Sequence, residues 1–149
     1  MVNILDREQR ILSGIHEIPI YYEDTDLSGF VYHANYLKFF ERAREHLIGI
    51  KFLKDLWHDG IHFVVAETNQ KFLRPVHHGD TLRVKSEISY SQSPVLECRH
   101  SATVLGAETT QTVEAMVKLV TLNRANRPIR LPDIVIEHFM SQQTKYKGE

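Results

Sequence analysis

From His16 to Tyr22 the chain alternates, with Ile18, Ile20 and Tyr22 on one face, the period of a half-buried strand. Pro19 has no N–H to give to a ladder, so this strand belongs at a sheet edge or contains a bulge. The residues before it, 1–14, show no clear period and read as a lead-in, either a short helix or a loose arm. After a polar loop around Gly29 the period becomes helical. From about His33 to Ile48, Tyr36, Phe39, Phe40, Ala43 and Leu47 recur at the spacing of one apolar helix face. Lys38, Arg42 and Glu45 fall opposite, and Gly49 is a natural stop. A shorter helix is expected from Phe52 to His58, ended by Gly60.

Beyond Gly60 the period drops to two. His62 to Leu73 reads as a strand. Leu82, Val84, Ser86, Ile88 and Tyr90 then share one face, and Arg83, Lys85, Glu87 and Ser89 the other. Ser91 to Pro94 make a turn, after which Leu96, Cys98, His100, Ala102 and Val104 point one way. Gly106 turns the chain again, and Val113, Ala115, Val117 and Leu119 make the last inward row. Turn-joined strands at this spacing predict an antiparallel meander. Each strand has one apolar face, and the helix at 33–48 is the element long and apolar enough to cover it. The fold class expected is therefore α+β, about five antiparallel strands wrapped around one long helix. A short helix over Pro132 to Met140 completes one domain spanning 15–141, with 142–149 as a tail.

Composition narrows the function. The chain has 149 residues, 18 Lys+Arg against 19 Asp+Glu, and a formal net charge of −1. That balance argues against nucleic-acid binding by bulk charge. No run approaches the ~18 apolar residues of a membrane span. The N-terminal stretch carries Asp6, Arg7, Glu8 and Arg10 in place of a signal peptide's apolar region. A cytoplasmic location follows as the expectation. Cys98 is the one cysteine, so neither an intrachain disulfide nor a cysteine-based zinc site is expected.

The densest polar cluster is residues 21–36, YYEDTDLSGFVYHANY. Asp24, Asp26, Ser28 and Gly29 imitate the start of a calcium loop, but the twelfth position is Asn35, not Glu, and a strand precedes the loop where a helix is required. His58 and His62 are four apart with Gly60 between them, and His77 and His78 are adjacent, so zinc is not expected. The nucleophile-elbow, phosphate-loop and dinucleotide-binding patterns are missing. Cys98 falls mid-strand on an apolar face and reads as a core residue. One arrangement retains chemistry. Asp26 precedes the helix by about seven residues, so the loop can fold back and set its carboxylate against the helix N-terminus. Unpaired N–H groups there can polarise a carbonyl, and a carboxylate beside it can activate water or attack directly. The competing reading is that Asp24 and Asp26 only bond loop amides and cap the helix.

The run from Tyr21 to Arg44, Y-Y-E-D-T-D-x-x-G-x-V-Y-H-A-x-Y-x-x-F-x-E-R-A-R, resembles the signature of hotdog-fold acyl-CoA thioesterases of the YbgC type, associated with the Tol–Pal system and related to 4-hydroxybenzoyl-CoA thioesterase. The similarity continues through FVVAETNQKFLRPVHHGDTL and RPIRLP. The resemblance implies the hotdog fold, hydrolysis of a short- to medium-chain or aromatic acyl-CoA to free acid and CoA, and no metal or redox cofactor. It assigns catalysis to Asp26, with His33 and Tyr22 positioning it and the substrate. The backbone N–H near His33 would polarise the thioester carbonyl. Gly29, Val31, Tyr32 and Tyr36 would bind substrate, while Asp24 supports the loop. Leu27 is bulkier than the small residue usual at its place, which would narrow the acyl tunnel. The resemblance also implies a homodimer with a continuous sheet, paired again into a homotetramer, with the site at the dimer interface. Acyl carrier protein is an alternative carrier to CoA. Two other functions compete: a non-catalytic acyl-CoA-binding hotdog module, which needs no carboxylate at position 26, and an enoyl-thioester hydratase, which the D-T-D-x-x-G and V-Y-H context fits poorly.

Overall fold

The structure is a computed structural model, and it describes residues 9–147. Its described elements are β1 (Arg10–Pro19), a 3-10 turn (Tyr22–Asp24), α1 (Asn35–Ile48), α2 (Ile50–His58), β2 (His62–Phe72), β3 (Thr81–Tyr90), β4 (Val95–Val104), β5 (Ala107–Leu122) and α3 (Asp133–Lys147). The strands form one five-stranded sheet in the order β1-β3-β4-β5-β2, every pair antiparallel.

The inward rows expected of β3 and β5 are buried throughout, and so is the β4 row from Leu96 to Ala102; Val104 at its end is half-buried. The expected face of α1 is buried against them, with Phe40 fully enclosed. β3, β4 and β5 form the meander. β2 does not extend it. It lies beyond β5, at the edge opposite β1, because α1 and α2 carry the chain across the sheet face between β1 and β2. The chain then crosses back over residues 73–80, where the Leu73 N–H donates to the Thr112 carbonyl and Val76 is fully buried. Pro19 is the last residue of edge strand β1, so its missing N–H breaks no interior ladder.

Three expectations about the chain ends and the first strand change. β1 begins at Arg10, where a lead-in over 1–14 was expected, and Arg10 pairs with Tyr90. Its inward row is Leu12, Gly14, His16 and Ile18, in which a glycine and a histidine mask the hydrophobic period. Gly14 lets α1 pack close: a Cβ there would meet Leu47 Cδ1 at 2.8 Å, so the leucine would have to move. Residues 1–8 of the expected lead-in lie outside the described residues. Tyr22 does not continue the strand. The chain leaves the sheet after Ile20 into the 3-10 turn, closed by the Tyr21 N–H donating to the Asp24 carboxylate at 2.9 Å, and Tyr22 is exposed. Finally, α3 runs to Lys147, past the expected end at Met140, taking in part of the expected tail. Its Val135 and Phe139 are fully buried, and His138 meets the Ile48 carbonyl at the end of α1. Residues 148–149 lie outside the described residues.

A polar layer divides the core. Register pairs Val84 with Ala102, Ser86 with His100 and Ile88 with Cys98. The outer two pairs belong to separate apolar clusters, and the Ser86–His100 pair lies between them. From α1, the buried Arg44 reaches the same layer and donates through Nη1 to His100 Nε2 at 3.1 Å. A guanidinium cannot accept, so Nε2 is the acceptor and Nδ1 carries the proton toward Ser86 Oγ, 2.8 Å away. Phe40 stacks flat on the imidazole, the centroids 4.7 Å apart.

Candidate active site

The loop between the 3-10 turn and α1 is a closed backbone circuit. The Asp26 N–H donates to the Phe30 carbonyl and the Gly29 N–H to the Asp26 carbonyl, each at 3.0 Å. Gly29 has φ of 82°, a conformation side chains resist, which is why the turn takes glycine there. Two further bonds fix the circuit to the body. The Val31 N–H donates to the Val76 carbonyl of the crossing segment at 2.8 Å, and the Tyr32 N–H to the Asp24 carbonyl at 2.9 Å. Asn35 Nδ2 donates to the same Asp24 carbonyl, tying the start of α1 to the loop.

Asp26 is exposed at the end of this circuit. Its Oδ1 accepts from the Ser28 hydroxyl and from the Ser28 N–H, the latter at 2.8 Å. These bonds hold its carboxyl below the usual aspartate range, the hydroxyl contributing most, with nearby His33 adding to the effect. The group is therefore a carboxylate at neutral pH. Asp24 is spent differently, its carboxylate accepting the Tyr21 N–H. No side chain caps α1, whose N-cap position is Ala34. The Asn35 N–H donates to the Tyr32 carbonyl at 2.9 Å, and the first-turn N–H groups after it, with the positive end of the helix dipole, are left without a side-chain cap for a ligand to meet.

A groove of about 450 Å³ joins these features. It brings together Asp26, Val31, His33 and Tyr36 from the sequence-predicted set. Burial pushes the Tyr36 phenol up to about 12, so it stays protonated and can donate. The groove does not include Tyr22, Gly29 or Tyr32. The Tyr22 ring packs edge-on against His78, its carbonyl accepts from the Thr25 hydroxyl, and the Tyr32 ring lies against His33. Leu27 is fully exposed at the loop tip and narrows nothing within this chain. Sequence reasoning missed Ser28 as the partner of Asp26, although Asp-x-Ser is a signature of side chains that bond their own loop. It also missed Phe72, Leu73, Arg74 and Pro75, which line the groove from the end of β2. Phe72 meets the rings of His33 and Tyr36. Only the sheet order brings that strand end to the helix start.

The remaining candidates separate. Cys98 is fully buried, and burial raises its thiol to about 11, leaving it an unreactive core residue. His77 packs on Phe30 while His78 packs on Tyr22, so the adjacent pair face different partners. Among the described residues, no three His, Cys, Asp or Glu side chains converge as metal ligands would.

The sequence profile of the thioesterase-like superfamily matches residues 21–141. The acyl-CoA thioester hydrolase YbgC of Escherichia coli is 30% identical over 125 residues, covering 82% of this chain and 92% of that protein. A probable thioesterase from Bartonella henselae superposes with a TM-score of 0.64 at 32% identity, covering 81% of this chain and 99% of the other. A 1,4-dihydroxy-2-naphthoyl-CoA thioesterase from Synechocystis superposes with a TM-score of 0.78 at 20% identity, covering 86% and 96%, which shows the common fold. Profile, relative and fold agree along nearly the whole chain, and it belongs to the thioesterase-like superfamily, as a hotdog-fold thioester hydrolase.

Proposed function

We propose that this chain hydrolyses acyl-CoA thioesters, short- to medium-chain or aromatic, to the free acid and CoA. The observation that carries the reading is one groove holding both an ionised Asp26 and the uncapped start of α1. The thioester carbonyl oxygen sits at the α1 N–H groups near His33, which stabilise the negative charge it gains in the transition state. Asp26 removes a proton from water as the water oxygen bonds to the carbonyl carbon, or attacks that carbon itself to give an anhydride that water opens. Either way the C–S bond breaks, and the thiolate leaves to take up a proton. His33 positions Asp26 and the substrate, and Val31, Tyr36 and Phe72 shape the wall around the acyl group. Acyl carrier protein is the alternative carrier.

The same reading makes the working unit a homodimer with a continuous sheet, paired into a homotetramer, in the cytoplasm. β2 is an edge strand bonded on one side only, and Val64, Val65, Phe72 and Leu73 of this region are exposed. Such an edge favours a second strand. No helix among the described residues is long and apolar enough to cross a membrane.

An acyl-CoA panel with thiol detection, run on wild type and Asp26→Asn, tests the assignment. The substitution keeps shape and removes the charge. Turnover should fall about 10²–10⁴-fold, with KM little changed, because the lost interaction belongs to the transition state. Equal turnover by the two proteins would refute the role of Asp26.

A further inference from the structure

A second cavity, of about 360 Å³, opens between α1, α2 and the start of β2. It shares no lining residue with the Asp26 groove. Along α1 it lies about 12 Å further on, counting 1.5 Å for each of the residues from Tyr36 to Arg44. Its walls are apolar, including Ile48, Leu53, Leu56, Phe63 and Leu119, and Trp57 stands at its side. Arg44 also lines it, and that residue is 7% exposed.

The Arg44 guanidinium is paired in an unusual way. Its one side-chain hydrogen bond among the described residues goes to His100, a neutral acceptor, and no carboxylate lies within 4.0 Å of it. Burial lowers His100 to about 3, with Arg44 adding to the effect, so this partner brings no negative charge. Burial holds the Arg44 guanidinium below the usual arginine range, and Cys98, Glu41 and Glu45 oppose that shift without cancelling it. Glu41 and Glu45 line the same cavity but are exposed to water, where their fields are screened. The exposed Lys54 adds a second positive charge.

We propose that this cavity binds a carboxylate carried on an apolar body, with Arg44 as its counter-ion. The planar fork of a guanidinium matches a carboxylate in two parallel hydrogen bonds. The apolar walls suit a hydrocarbon or aryl body and disfavour a doubly charged phosphate, whose desolvation costs more. The carboxylate is either that of a free acid or the far end of an acyl group attached to its carrier. The first source is a site separate from catalysis. The second rests on the proposed thioesterase reading and makes Arg44 a specificity residue.

Trp57 is the one tryptophan of the chain and lines the cavity, so its emission reports occupancy. The full chain is titrated with decanoate, below its micellar concentration, and in parallel with 1-decanol. A saturable change is expected, with decanoate bound at least about tenfold more tightly than the alcohol, as for a charge-assisted hydrogen bond. Arg44→Gln should abolish that preference. Lys54→Glu, at an exposed position that leaves packing untouched, should weaken decanoate more than decanol, and it carries the test if Arg44→Gln does not fold. No saturable change, equal affinity for the alcohol, or a preference that survives both substitutions overturns the proposal. So does an emission change that follows protein concentration alone, which assigns the cavity to a second copy. Decanoate binding is expected to be unchanged in Asp26→Asn, so failure of the catalytic assignment leaves this one testable. In that variant a response to sebacoyl-CoA assigns the carboxylate to a substrate's far end, and silence beside a response to decanoate assigns it to a free acid.

Discussion

Asp24 and Asp26 are the same side chain two residues apart, and their hydrogen bonds give them different work. Asp24 closes the 3-10 turn through the Tyr21 N–H, so Asp24→Asn should lower the melting temperature and leave kcat near normal. The reverse ranking of the two aspartates in a kcat assay would exchange their roles. Asp26 is held ionised by Ser28. Bonds that favour the charged form lower its pKa, so the acid limb of kcat/KM for wild type should lie below the ordinary aspartate value. Ser28→Ala removes the hydroxyl bond, and the limb should move up toward the ordinary aspartate value. Superimposable pH profiles would show that Ser28 does not tune the carboxylate.

At the scale of elements, α1 serves fold and site together. Its middle is fixed by Phe40, which is fully buried between the sheet and the His100 ring. Phe40→Ala should cost about 3–5 kcal/mol, read as a shift in the denaturation midpoint at unchanged slope. A loss under 1 kcal/mol would mean the helix is anchored elsewhere. Its N-terminus is left uncapped, and the loop that faces it is tied to the crossing segment by the Val31–Val76 bond. The helix can lack a cap because its ends are held by other elements: Asn35 bonds the Asp24 carbonyl, and α3 covers the carbonyls at the far end.

For the whole molecule, the polar layer at Arg44, His100 and Ser86 makes stability depend on pH. Burial, then Arg44, depresses His100 to about 3 in the folded state, against about 6.5 unfolded. Between those values the unfolded chain binds one more proton, so stability falls as pH falls below 6.5, by at most about 1.4 kcal/mol per unit from this site. His100→Gln cannot titrate, and its melting temperature should decline less steeply than wild type over pH 6.5 to 4. Parallel declines would remove His100 as the cause. Assembly is the other whole-molecule property. With β2 unpaired on one side, sedimentation should detect a dimer or larger species, and specific activity should fall on dilution. A fully active monomer would end the shared-site reading.

What the sequence determined by itself was local. Alternation in β3, β4 and β5 and the helical spacing of α1 identified those strands, their inward faces and the helix they enclose, because burial imposes a period on any element that has one wet face. The resemblance of the run from Tyr21 to Arg44 named Asp26, Val31, His33 and Tyr36, and the groove holds these four together because they lie within eleven residues of one another on a single loop and helix start. Tertiary structure decided the rest. The period of β1 is interrupted at Gly14, where Leu47 packs close, and that contact spans the sequence from β1 to α1. The place of β2 at the far edge, and with it Phe72 and Arg74 in the groove, depends on a crossover that no local pattern encodes. Ser86 and His100 stand in the inward rows of two different strands, and nothing local to Arg44 marks it as their partner. They become one buried network only when two strands and a helix meet, because a polar group is tolerated inside a core only through partners that folding brings to it.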